Sequence, residues 1–390
     1  MKNKLILGQV SFFVFIRVIL HTSTSMLMPL LPVFSRGLGI DITMAGRAFS
    51  ISQLSNLFVP FISAFSEHKG HKFGMVLGLS TFALGGAVML VWQTYTAFVI
   101  ATFVMTLGTF VFLPVMQSYI GEEVPYQRRG SIIALSEFGW AASFIFGVPL
   151  ISLLISRYGW LAPYPAFLVI MLILIAIIVL TFPASKRLHT GGSVFAGMTY
   201  VFSSGKAWLG ILLGFLLITG VNMIGVVYGY WLEDVYHLDV KALGISSVVI
   251  GFASAIGVIL VASLTDRVGK RRAIVGGLAL NSLIAGSIVL ITPALFPALV
   301  WVFIFYISME FSLVSTLTML TELLPEHRTP FLAAVTAAQG FGGAFGAYIA
   351  PYLYKLGFSA NVFGCIIINI AIITIILIIK PKSKLRWLDD

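Results

Sequence analysis

Apolar residues run along this chain in stretches of roughly twenty positions, the length that crosses a bilayer core as helix, parted by short turns rich in Gly, Pro and charge. Twelve such stretches are predicted as spans, at 6–34, 43–65, 74–93, 97–120, 131–155, 162–183, 207–231, 243–264, 272–292, 296–320, 331–354 and 360–380. A membrane β-barrel would instead show strands of about ten residues with alternate positions polar. The run 170–180 is apolar at every position, so helices are predicted throughout. The N-terminus, with Lys2 and Lys4 before an apolar run, looks like a signal peptide. That run continues past Met28, and no small-x-small site closes it, so it is read as a retained first span.

Composition agrees with this reading. Hydrophobic types make up 59% of the 390 residues and charged types 10%, against about 25% charged in a soluble domain. There is too little charge to cover a water-facing surface. The single cysteine, Cys365, cannot form an intramolecular disulfide, and no Cys/His spacing suggests a metal. Nor is there a phosphate-binding loop, a zinc-protease helix or a nucleophile elbow. No cofactor is expected, and the chain is not read as an enzyme.

The formal charge of +10 is distributed by side. One set of loops carries 18 Lys and Arg; the other carries 5, namely Arg36, Arg47, Arg157, Lys241 and Lys355. Basic loops stay cytoplasmic. The expectation is therefore a multi-pass protein of the inner (plasma) membrane, read as a monomer, with both termini cytoplasmic. The positive charge then faces anionic lipid and is not a nucleic-acid footprint.

The chain also repeats itself. Glu122, Pro125, Arg128 and Ala134 recur as Glu322, Pro325, Arg328 and Ala334. The turn Glu67-His68-Lys69-Gly70-His71-Lys72 recurs as Asp266-Arg267-Val268-Gly269-Lys270-Arg271. Gly46 matches Gly244, and Gly159 matches Gly357. Six spans repeated in the same orientation imply a pseudo-two-fold axis along the membrane normal. The expected organisation is a six-helix bundle over 1–183, a cytoplasmic linker over 184–206 and a second bundle over 207–390.

The turn from Asp266 to Arg272 resembles the signature loop of the major facilitator superfamily; the earlier copy departs from it at Glu67 and His68. The stretch Val124-Pro125-Tyr126-Gln127-Arg128-Arg129-Gly130 looks like that family's loop after span 4. Tyr158-Gly159-Trp160 with Pro163 looks like its corner between spans 5 and 6. The resemblance covers nearly the whole chain. It implies an all-α fold of two bundles and an alternating-access secondary transporter for a small molecule. Style is nearest to drug or metabolite–proton antiporters, with departures. Gly147-Val148-Pro149 and Ser152 match their span-5 motif only in part, and Thr102 stands where their span 4 carries Arg.

Candidate site residues follow from charge, from residue type and from the resemblance. Charges inside a membrane are costly and mark function. The chain has three of them, Arg17 in span 1, Glu137 in span 5 and Glu310 in span 10, and His21 shares the helical face of Arg17. At 1.5 Å per residue, Arg17 lies ~16 Å and Glu137 ~9 Å from the terminal side. Spans 1 and 5 are neighbours in the family, which makes an Arg17–Glu137 pair plausible. Glu310 has no basic residue at its depth in the second half, and the resemblance puts span 10 on the central cavity. Burial favours the protonated form of an isolated carboxylate, so Glu310 is the expected proton carrier. Met105, Phe112, Met116, Asn222 and Tyr228, with Tyr230 and Trp231, are expected to line the cavity from spans 4 and 7.

The repeated turns are read as a cytoplasmic gate made of Glu67, Gly70, Lys72, Arg128, Asp266, Arg267, Gly269, Lys270, Arg271 and Arg328. An acid is unfavourable at its own helix C-terminus, which suggests that Glu67 and Asp266 each face the start of another helix. Three functions fit. The leading one is proton-coupled export of an amphipathic small molecule. The others are uptake or exchange of an organic anion through Arg17 and His21, and a transporter-like receptor or assembly factor that moves nothing.

Overall fold

A computed structural model of the chain describes residues 2–58, 69–123, 138–182, 198–290 and 294–378. These residues are helical with short turns, and no strand occurs among them. The first half contains α1 (Lys2–Ser25), α2 (Leu27–Leu38), α3 (Ile42–Gln53), α4 (His71–Val91), α5 (Tyr95–Glu123), α6 (Phe138–Tyr158) and α7 (Pro163–Thr181). After the short α8 (Met198–Ser203), the second half contains α9 (Gly205–Tyr236), α10 (Val240–Val268), α11 (Lys270–Gly286), α12 (Leu295–Leu323), α13 (Arg328–Tyr354) and α14 (Phe358–Ile378). Among the described residues ten helices are long and apolar enough to cross a membrane, and α1 with α2 adds one bent span. Together with α3, these helices make the twelve spans of the expected fold. The side that holds the termini is called the near end below, and the opposite side the far end.

Local chemistry explains the irregularities. Span 1 bends by 54° between α1 and α2. Pro29 has no N–H to give to the Ser25 carbonyl, so the ladder breaks there. The bend brings Pro29 onto α9, where a Cβ at Gly229 would lie 2.3 Å from the Pro29 carbonyl oxygen. In α6, Pro149 follows a π-turn over Ser143–Gly147, the insertion that often marks functional helices. Span 7 reaches Tyr236, five residues beyond its predicted end at 231. Its extra turn carries the charged pair Glu233 and Asp234, which hydropathy alone would exclude.

The repeat is visible residue by residue. Asp41 and Asp239 cap the helices of spans 2 and 8, accepting from Met44 N–H at 2.9 Å and Ala242 N–H at 2.8 Å. Bonds from the Thr43 hydroxyl and Met44 N–H hold the Asp41 carboxyl below its usual pKa. Gly70 and Gly269 both turn at positive φ, 91° and 88°, and Gly159 and Gly357 do so at 87° and 108°. Each is a turn where a Cβ would be strained.

The two halves meet along two related seams. A Cβ at Gly46 would fall 2.4 Å from Pro351 Cγ on α13; one at Gly244 would fall 2.2 Å from Ser152 Cβ on α6. Ser50 Oγ donates to the Ala344 carbonyl at 2.7 Å, and Ser247 Oγ to the Phe144 carbonyl at 2.8 Å. These glycines let α3 close on α13, and α10 on α6, with polar groups satisfied across the join. Gly244→Ala is therefore expected to wedge the far-end seam open. Labelling of a cysteine placed beside Ser152 by a reagent on the far side should rise. Unchanged labelling would mean that the seam is not a closed contact.

Candidate functional site

Beneath the seams, the two halves enclose a cavity of about 690 Å³, within the usual range for small-molecule sites. Its walls come from α1, α2, α3, α5 and α6 of the first half and α9, α10, α12 and α13 of the second. Lining reaches Gln117 on α5 and Leu317 on α12, each about two turns from the near end of its helix. Most lining is apolar or aromatic, with Phe49, Phe110, Phe138, Trp140 and Phe144 on the first-half side.

Arg17, His21 and Glu310 line the cavity, together with the buried phenol of Tyr306. Arg17 is buried on α1, and its Nε donates to His21 Nε2 at 3.4 Å. Gly139 makes room for its stem; a Cβ there would lie 2.9 Å from Arg17 Cγ. Spans 1 and 5 therefore pack together at this level, and His21 meets the Trp140 ring edge-on at 5.3 Å. Glu137, the expected partner of Arg17, lies outside the described residues, as do Glu67 and Arg128.

Glu310 sits on the opposite wall, on α12. Gly257 on α10 admits it closely, since a Cβ there would lie 2.8 Å from Glu310 Cβ. Among the described residues its carboxylate accepts one hydrogen bond, from Ser254 Oγ at 3.4 Å. No basic residue of its own half lines the cavity among the described residues.

Of the soft and aromatic residues expected here, Asn222 lines the cavity. Met105, Phe112 and Met116 are buried elsewhere. Met105 and Phe112 fill the α4–α5 contact opposite Gly85 and Gly78. The cavity face of α5 is instead Thr106, Thr109, Phe110, Leu113 and Gln117. Tyr228 is buried between α9 and α10, where its hydroxyl donates to Ser246 Oγ at 3.0 Å. Tyr230 hydrogen-bonds Ser35 at the far end, and Trp231 stacks on Phe358 at 4.3 Å. Residue type picks out all of these positions, whereas helical register decides which of them face the cavity.

Four basic residues of the repeated turns, His71, Lys72, Lys270 and Arg271, make contacts within their own halves. Lys72 Nζ donates to the carbonyls of Val179 and Phe182 at 2.7 Å, closing the end of α7. Its counterpart, Arg271, donates to the Leu377 carbonyl at 2.6 Å near the end of α14. Cations suit helix C-termini. His71 lies 3.7 Å from Glu122, and Lys270 pairs with Glu322 at the equivalent place. Arg267 and Arg328 are at the near end, both exposed. Of Asp266, only the backbone is described.

At the far end, Arg36 pairs with Glu233, Ser35 bonds Tyr230, and Arg47 NH2 donates to the Tyr352 hydroxyl at 2.7 Å. All three contacts join first half to second. An exposed ion pair is worth about 0.2–1 kcal/mol, which suits a closure that must open.

A closed far end, one central cavity between repeated six-helix halves and charge confined to its walls define a class: polytopic membrane carriers that move a solute by rocking two bundles. The chain belongs to the Major Facilitator Superfamily, whose model matches residues 13–319, and it is a secondary transporter. It is 24% identical to YbcL, an uncharacterized MFS-type transporter of Bacillus subtilis (strain 168), over 99% of this chain and 98% of that one. Its fold is similar to that of a mutant of the nucleoside transporter NupG, with TM-score 0.79, 12% identity and 96% and 99% of the two chains covered. It is also similar to the xylose transporter XylE of E. coli in its inward-open conformation, with TM-score 0.77, 15% identity and coverage of 97% and 98%.

Charge alone passes over most of the polar lining. Gln53, Asn56, Thr106, Thr109, Ser254 and Gln339 all face the cavity. The signal that could find them is a carboxamide or hydroxyl inside an apolar span, on a helical face shared with other polar positions.

Proposed function

We propose that this chain is a proton-coupled exporter of an amphipathic small molecule, working by alternating access between halves 1–183 and 207–390. The observation that carries the reading is Glu310, a carboxylate on the cavity wall with Ser254 as its one hydrogen-bond partner among the described residues. A group so placed can take a proton from one side and release it to the other as the halves rock. The apolar and aromatic walls suit the body of an amphipathic ligand. The far-end contacts correspond to an inward-open state, the conformation of the XylE structure, with the near end and both termini cytoplasmic. The excess of basic residues in near-end loops supports that orientation. Asp266 and Glu67 would then serve as gate acids that meet the opposite half when the near end closes. A single copy of the chain suffices, because both walls of the cavity come from it.

The test is purified protein in liposomes with a pH dye inside. Adding an exported ligand outside should alkalinise the lumen, because ligand entering exchanges for a proton leaving. Arg17 and His21 on the cavity favour a second reading, uptake of an organic anion with a proton, and acidification would support it. No pH change and no ligand flux would leave a receptor-like protein.

A further inference from the structure

We propose that a group of carboxamides on the cavity wall is the head-group subsite of the transported molecule, and that it takes a neutral hydrogen-bonding head such as a carboxamide or urea. The inference rests on the reading of this cavity as the substrate site and adds the class of head group. Four carboxamides line the cavity: Gln53 and Asn56 from span 2 and Asn222 from α9 pack over neighbouring glycines of α13, and Gln339 stands on α13 one turn before Gly343. A Cβ at Gly343 would lie 2.9 Å from Asn222 Nδ2 and 3.4 Å from Gln53 Cγ, so these two side chains converge over one glycine. Asn56 packs the same way on Gly340, at 2.8 Å.

Their hydrogen bonding is incomplete. Asn222 is 4% exposed and spends its Nδ2 on the Gly343 carbonyl at 3.2 Å. Asn56 is 8% exposed and gives its Nδ2 to the Gln53 carbonyl at 3.2 Å. Neither Oδ1 receives a bond from the described residues, and the side-chain amides of Gln53 and Gln339 make none with them. Each amide offers two donors and an acceptor with two lone pairs. Because all four line the cavity, the groups they leave unused are open to a bound ligand.

The cluster therefore presents unused donors and acceptors together, with no charge among its members. An ion placed there would lose water without gaining a counter-charge, whereas a neutral amide would find complementary donors and acceptors. Two of the amides belong to the first half and two to the second. A head group bonded to both is held while the far end is closed and released when the halves part.

The test is equilibrium binding to full-length protein in lipid nanodiscs at one pH, by calorimetry. The probes share one body: 4-phenylbutanamide, 4-phenylbutylammonium and 4-phenylbutyrate. The amide should bind most tightly. Gln53→Leu should weaken it about five-fold, the worth of one neutral hydrogen bond, and leave the two ions unchanged. Gln53→Glu, of the same shape, should move the preference to the ammonium, a gain that misfolding cannot mimic. An ammonium or carboxylate preference in the unmodified protein would overturn the proposal. So would an unchanged amide affinity in Gln53→Leu together with an unchanged order in Gln53→Glu. Binding at one pH requires no coupling. An amide preference without transport would therefore sink the export reading and leave the head-group assignment standing.

Discussion

Arg17→Ala is expected to lower stability by about 3–5 kcal/mol, and Glu137→Ala by a similar amount, because each strands a buried charge. The double variant should lose less than the two added together. Arg17 is 5% exposed inside span 1, with its guanidinium shared with His21. Its stem lies against Gly139 in span 5, two positions after Glu137. The reason to expect the pair is that spans 1 and 5 pack together at this level and each carries one of the charges of the first-half spans. Thermal unfolding of the purified variants, with transport alongside, completes the double-mutant cycle. Plain additivity would mean that the two residues do not interact, and Arg17 would become an anchor for substrate.

The pairing matters for the division of labour across the cavity. If Arg17 is balanced by Glu137 within the first half, the acid on the second-half wall is the group left to titrate. Glu310→Gln is then expected to abolish uphill transport driven by a pH gradient while leaving ligand binding and exchange at equal pH in place. The amide keeps the size and hydrogen-bonding capacity of the carboxyl and loses only the titration. It is no harder to bury than a charged acid, so the variant should reach the membrane. Ser254 Oγ, 3.4 Å from the carboxylate, can bond the amide equally well. Because the proposed head-group subsite lies on span 2, α9 and α13, the change on α12 leaves it intact.

Much of this is legible in the sequence, and the reason is physical. A bilayer imposes one length on every span, so ten of the twelve predicted stretches coincide with helices whose described ends fall within a few residues. Span 1 is bent where Pro29 dictates, and the end of span 2 lies outside the described residues. The repeat is readable because glycines at tight turns and seams tolerate little else. Gly70 and Gly269 share a positive φ, and Gly46 and Gly244 share a contact. Charged residues are legible as candidates because membranes make them costly, and Arg17, His21 and Glu310 all line the cavity.

Register is the part that residue type cannot give. Met105, Phe112 and Met116 sit on the face of α5 next to the cavity face, and nothing in their chemistry tells the two faces apart. The roles of Lys72 and Arg271 are hidden for a different reason. Their acceptors, at Val179, Phe182 and Leu377, are 106 to 110 positions away in sequence. A basic loop reads the same whether it caps a neighbouring helix or bars a gate. Asn222 is picked out by its place on span 7, but Gln53, Asn56 and Gln339 escape notice because Asn and Gln are ordinary in loops. They become conspicuous once spans 2, 7 and 11 are seen to meet.

The most direct test of the central claim is a paired flux measurement on proteoliposomes bearing the unmodified chain or Glu310→Gln. Counterflow at symmetric pH reports alternating access and binding; efflux under an imposed pH gradient reports coupling. Unmodified protein should perform both, and Glu310→Gln should retain counterflow and lose the response to the gradient. Gradient-driven transport that survives in Glu310→Gln would contradict the account and move the proton to His21 or Glu137. Loss of both activities together with ligand binding would contradict it differently, making Glu310 an anchor for substrate.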